Sequence, residues 1–149
     1  MIKADFDIQT VKTYLSQAFR IDQRIQSKLE QVESLKHLAA MANAALSDMP
    51  RSPSPNLQPM ESTIVKITDL QAEINNDIDM LVELKRDLVS LIRQVQNTEE
   101  QTLLEQRYLC FKKWEKIAVD MNYSVQHVFR LHDAAILSVA RDMRVNVIV

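Results

Sequence analysis

Glycine is absent from all 149 residues, which removes the residue that turns a chain most cheaply. β-Hairpins rely on Asn-Gly and Gly-Gly turns, so hairpin-rich β-structure is not expected. Phosphate-cradling loops need glycine too, and their absence excludes Walker-type and dinucleotide-binding sites. Aromatic residues make up 5% of the chain, with a single Trp, so the core should be built from aliphatic helix seams. The one cysteine, Cys110, rules out an intramolecular disulfide. There is neither a signal-peptide pattern nor an apolar run of membrane length, so a cytoplasmic location with no membrane partner is expected.

Proline is scarce and clustered. All four prolines fall between Pro50 and Pro59. They remove backbone donors and push the preceding residues away from helix, which predicts a loop over 47–59. A proline-rich ligand for another protein is the alternative to a plain connector.

Apolar residues recur at helical steps on either side of that loop. Ile8, Val11, Leu15, Ala18, Ile25, Leu29, Val32 and Ala39 form one stripe, interrupted at Asp22 and Lys36 and widened by Ile21 and Leu35. Ile64, Ile67, Ile74, Ile78, Leu81, Leu88, Ile92 and Val95 form a second, with Gln71 and Lys85 in the seam. Helices over about 5–46 and 60–97, joined by that flexible loop, are expected to fold back as a long antiparallel hairpin with coiled-coil packing. Neither stripe is stable in water alone, and the seam polar residues either set register or mark where a partner joins. A homodimer through the hairpin is therefore a candidate partnership.

Beyond Gln96-Asn97, a third helix is expected, capped by Thr98 and running to about Leu109. Next comes Trp114-Glu115-Lys116-Ile117-Ala118-Val119-Asp120-Met121-Asn122-Tyr123-Ser124-Val125-Gln126-His127-Val128-Phe129-Arg130-Leu131. Ile117 and Met121 share a face, Ala118 is small enough for a close crossing, and Asn122 is the best left-handed residue available without glycine. Ser124 suits an N-cap, and Val128 and Leu131 point back at the preceding helix. That pattern fits a helix-turn-helix, although two amphipathic helices joined by a turn are also ordinary all-α structure. The final Val145-Asn146-Val147-Ile148-Val149 is apolar and β-prone, and reads as a frayed end, a packed tail or an interface strand.

Charge is split along the chain. Arg107 to Arg144 holds seven basic and four acidic residues, which leaves 11 basic and 16 acidic elsewhere. A basic module on an acidic scaffold fits nucleic-acid binding. In a helix-turn-helix the front of the second helix enters the major groove, which turns Ser124, Val125, Gln126, Phe129 and Arg130 outward with His127 on the shoulder. Gln126 can pair with adenine, Arg130 with guanine, and Val125 can meet a thymine methyl. Lys112, Lys113 and Lys116 stand where phosphate contacts are expected. An outward Phe129 suits a protein contact as well as DNA, or it belongs to the core.

The chain offers little to an enzyme. Cys110 reads as a small buried hydrophobe, His132 as a hydrogen-bonded core histidine, and His37 stands alone. His-Glu-x-x-His, Cys-x-x-Cys and nucleophile-elbow motifs are missing, so neither catalysis nor a cofactor or metal is expected.

Leu104-Glu105-Gln106-Arg107-Tyr108, Trp114-Glu115-Lys116-Ile117-Ala118 and His132-Asp133-Ala134-Ala135-Ile136 together are similar to region 4 of sigma-70-type factors. Most of the chain resembles a family of small phage proteins related to the ArpU and RinA late transcriptional regulators. Asn122 stands where glycine is common in the sigma pattern. The resemblance implies an all-α fold, with a helical hairpin over 1–97 and a sigma region-4-like helix-turn-helix domain over 98–149. It further implies a regulator of transcription in the cytosol of a bacterial host, touching double-stranded promoter DNA and RNA polymerase. Two rivals stand beside it: a small terminase-like packaging subunit, which a ring-forming multimer favours, and a protein-interaction module, which absent or salt-insensitive DNA binding favours.

Overall fold

The computed structural model describes the backbone of residues 2–48 and 58–148, and side chains over 8–44 and 60–143. The fold is all-α: α1 (Ile2–Asp48), α2 (Gln58–Arg93), α3 (Thr98–Leu104), α4 (Trp114–Met121) and α5 (Val125–Ile148). Among the described residues there is no strand, and no helix is long and apolar enough to cross a membrane. Of the loop expected over 47–59, Ser47, Asp48, Gln58 and Pro59 are helical, and the remainder lies outside the described residues. The β-prone tail is helical through Ile148, because α5 propagates straight through it.

Two compact units divide the chain, one of residues 1–20 with 81–149 and one of residues 21–80. In the first unit Val11, Leu15 and Ala18 of α1 and Leu88 and Ile92 of α2 share one buried core with Leu104, Tyr108, Ala135, Ile136, Val139 and Ala140. The base of the hairpin thus buries its stripe against α5, whose small residues leave room for close approach. Glu100 of α3 is buried and accepts a hydrogen bond from the Ser138 hydroxyl of α5 at 2.8 Å, which satisfies a carboxylate that burial would otherwise penalise.

In the second unit α1 and α2 run antiparallel, with Ile25, Val32 and Ile74 buried between them. Lys28 reaches the buried Asp77 carboxylate at 2.6 Å and comes within 3.9 Å of Glu73. Breaking a buried ion pair leaves an uncompensated charge, so slipping the hairpin by one heptad is costly and the pair fixes register.

α2 stops earlier than its stripe. Gln94 and Val95 donate backbone N–H groups to Leu91 and Ile92 at 3.2 and 3.0 Å, which tightens the last turn and ends the helix at Arg93. The cap of α3 is Asn97, not Thr98: its backbone is extended and its side chain accepts the N–H of Glu100 at 3.1 Å.

Candidate nucleic-acid interface

α3 passes into a π-helical turn over Glu105–Leu109, where the expected helix would have continued as α. The Cys110 N–H reaches back to the Glu105 carbonyl at 3.0 Å, and that of Lys112 to Gln106 at 3.1 Å. Phe111 then takes φ 58°, a left-handed conformation that costs a bulky residue on the order of 1–3 kcal/mol. What holds it is its ring, which lies 5.6 Å from that of Phe19 with the Lys85 ammonium 4.7 Å above it. Cys110 is exposed, against expectation, because this turn carries it outward between two packed aromatics. The Arg107 guanidinium stacks 4.4 Å from the Trp114 ring and donates to the Lys112 carbonyl at 2.9 Å, fixing the entry to α4.

α4 and α5 are held by a second cluster: Leu103, Ile117, Ala118 and Val128 are buried, with Trp114, Met121, Tyr123, Val125 and Leu131 packed against them. Between the helices Asn122 adopts φ 60° and ψ 44°. The Tyr123 N–H bonds to the Ala118 carbonyl at 2.9 Å and that of Asn122 to Val119 at 3.2 Å, the pattern of a left-handed helix stop that usually employs glycine. Asn tolerates this backbone and a β-branched residue does not. Asn122→Val is therefore expected to cost about 1–2 kcal/mol in chemical denaturation, and Asn122→Gly to stay within about 0.5 kcal/mol of the parent. The Tyr123 hydroxyl donates to Glu99 at 2.5 Å, tying the turn to α3 and pushing the phenol pKa upward, mainly through that bond.

Of the residues expected to read bases, the structure exposes Gln126 and Arg130, one turn apart on α5. Ser124 is exposed but engaged: its Oγ accepts the His127 N–H at 3.1 Å and caps α5. Val125 does not face outward as expected. It is half-buried against the α4–α5 cluster, because the helix begins there and its first apolar side chain turns inward. The half-buried His127 lies 4.3 Å from the Tyr123 ring. Phe129 is 45% exposed and meets Trp114 edge-on at 5.3 Å, so it is part surface and part platform.

The lysines are less free than their spacing implies. Lys112 and Lys116 both bind the Asp120 carboxylate, at 3.0 and 3.1 Å, and hold its pKa below the usual range, Lys112 foremost. Lys113 is exposed at the N-cap of α4 and has no side-chain capping bond. Arg107 and Trp114 were not expected at the site. Their signal in the sequence was the Arg-Tyr and Trp-Glu pairs, which no helical period flags.

His132 is buried and inward as expected, 2.6 Å from the Tyr108 hydroxyl and edge-on to Trp114 at 4.7 Å. Among the described residues no group of three or more His, Cys, Asp or Glu side chains is placed to hold a metal ion. The arrangement presents an exposed amide, an exposed guanidinium and an ammonium beside a rigid left-handed turn. Comparison with protein-family models, with curated proteins and with solved structures returned no match.

Proposed function

We propose that this chain is a DNA-binding regulator of transcription of phage or prophage type, which uses α4, the Asn122 turn and α5 as a helix-turn-helix on promoter DNA. The observation that carries the reading is the left-handed stop at Asn122, with Ala118 buried at the crossing and Gln126 and Arg130 left exposed on α5. In that role Gln126 and Arg130 read base edges, Ser124 sets the start of the reading helix, and Lys113 meets phosphate. Lys112 and Lys116 exchange Asp120 for phosphate on binding, so their contribution is smaller than that of a free lysine. His127 and Val125 support the surface without reading it. The sigma region-4 resemblance extends the proposal to late genes and to RNA polymerase as a second partner. The reading assigns no catalytic step and no cofactor.

A second reading, a protein-interaction module, is favoured by one observation: Val119 and Phe129 are exposed at 74% and 45% on α4 and α5. Exposed apolar groups beside neutralised lysines suit a protein partner better than a phosphate backbone.

Titration of double-stranded DNA across a salt series separates the two. Neutralising phosphates releases counterions, so wild-type affinity is expected to fall steeply as salt rises. Lys113→Ala should reduce the log–log slope by about one, and Gln126→Ala with Arg130→Ala should cost roughly tenfold or more for a selected site but little for random DNA. Absence of binding at low salt sinks the DNA reading and leaves the protein surface.

A further inference from the structure

The unit of residues 21–80 is a two-helix hairpin whose two flanks differ in the order of their charges. Its seam positions repeat every seven residues, Ile25 and Val32 on α1 and Ile67 and Ile74 on α2. Four residues after each seam position begins one flank: Asp22, Leu29 and Lys36 on α1, with Ile64, Gln71 and Ile78 on α2. Antiparallel helices place these like positions on the same side of the hairpin. The opposite flank is an open groove in which Gln31, Ser34, Lys66, Asp69 and Glu73 surround Leu35 and Leu70, and it too leaves apolar side chains, Leu38 and Met80, exposed. On the first flank Leu29, Ile64 and Ile78 stand exposed, at 42%, 54% and 41%. These are stripe residues, interrupted only by polar side chains, that find no cover within the unit.

The order of charges on that flank identifies the cover. Leu29 stands midway between Asp22 and Lys36, two helical turns from each, and Gln71 stands midway between Ile64 and Ile78. A stripe reading acid, apolar, base is complementary to itself when turned end for end. Laid antiparallel on its own copy, α1 sets Leu29 on Leu29 and each Asp22 opposite a Lys36, while α2 sets Ile64 on Ile78 and the two Gln71 amides together. Such reciprocity is the signature of an isologous two-fold contact. Lys28 beside Asp77 and Glu73 puts Gln71 about one turn further along the hairpin than Leu29, so the two hairpins cross obliquely, as ridges packed into grooves do at roughly 50°. The existing bond of Lys36, an exposed 3.8 Å pair with Glu33 in the same helix, is weak enough to yield.

We propose that the flank bearing Asp22, Leu29, Lys36, Ile64 and Ile78 is a self-association surface on which two copies of this chain pack as crossed antiparallel hairpins. The inference does not rest on DNA binding, and a failed DNA titration leaves it standing.

Sedimentation equilibrium of the full chain over a wide concentration range tests it. Wild type is expected to dimerise, and Leu29→Glu to shift the monomer–dimer equilibrium by at least roughly thirtyfold toward monomer, through a buried charge. Asp22→Lys should weaken dimerisation by roughly tenfold, and Asp22→Lys with Lys36→Asp should restore it to within about threefold, since the pair is re-formed with its signs exchanged. Lys66→Glu on the opposite flank should leave the equilibrium unchanged. Recovery in the double variant excludes misfolding as the cause of the single one. A monomeric wild type, a ring or larger multimer, or a dimer that none of these variants perturbs overturns the proposal.

Discussion

Leu15→Ala is expected to lower the stability reported by Trp114 fluorescence by about 3 kcal/mol, although the two residues lie far apart in sequence. Leu15 is fully buried on α1, in one core with Leu88 and Ile92 of α2 and Ile136 and Val139 of α5. Truncating it removes transfer free energy and leaves a cavity, and cores closed from three helices collapse poorly around such gaps. Trp114 is the only tryptophan and stands at the start of α4, so its emission reports the C-terminal segment. If the hairpin and the C-terminal helices folded as separate domains meeting near residue 97, the change at Leu15 would leave the Trp114 midpoint where it is. A urea titration followed by fluorescence decides this, with Leu38→Ala as a surface comparison expected to stay within about 0.5 kcal/mol. Coincident loss by fluorescence and by far-ultraviolet circular dichroism is the outcome a shared core requires.

That shared core is also where the sequence stopped being legible. Val11, Leu15 and Ala18 announce a buried face through their spacing, but periodicity says that a face is covered and not what covers it. The same pattern serves a free hairpin, a dimer and a hairpin whose base is packed on α5. The turn at Asn122 was readable because left-handed backbone is chemically selective, and without glycine Asn is the natural occupant. The π-helical turn and the left-handed Phe111 were not, since a bulky aromatic carries no turn preference and is held there by Phe19 and Lys85 from elsewhere in the chain. Gln126 and Arg130 were placed outward correctly by helical phase. Val125 was not, because phase alone does not say how the first turn of α5 rolls onto α4. The charge count overstated the lysines, for Asp120 lies one turn past Lys116 and claims two of them.

Acid should unfold the first unit through His132. The ring is buried, and desolvation, followed by the charge of Lys12, brings its pKa down from 6.5 to about 4, with Arg107 adding to the effect and Asp133 opposing it. A neutral imidazole shares a hydrogen bond with the Tyr108 hydroxyl through Nε2, and burial pushes that phenol up to about 12, so the pair holds a single protonation state across the neutral range. On unfolding, His132 regains an ordinary affinity for protons. Between pH 6.5 and pH 4 the unfolded chain binds the proton that the folded chain refuses, so folding stability falls as pH falls through that window. The full loss is on the order of 3 kcal/mol and is complete once the folded state also protonates. Above the window the neutral ring contributes no further pH dependence. His132→Phe removes the titrating group at the cost of an unpaired Tyr108 hydroxyl, so it is expected to be less stable than wild type at pH 7 by about 1–3 kcal/mol and to lose stability less steeply toward pH 4. Both proteins carry the same carboxylates, so the difference in slope reports the loss of His132. Parallel stability–pH curves for the two would refute the account, and convergence of the curves as pH falls toward 4 would establish that the Tyr108–His132 pair is what acid breaks.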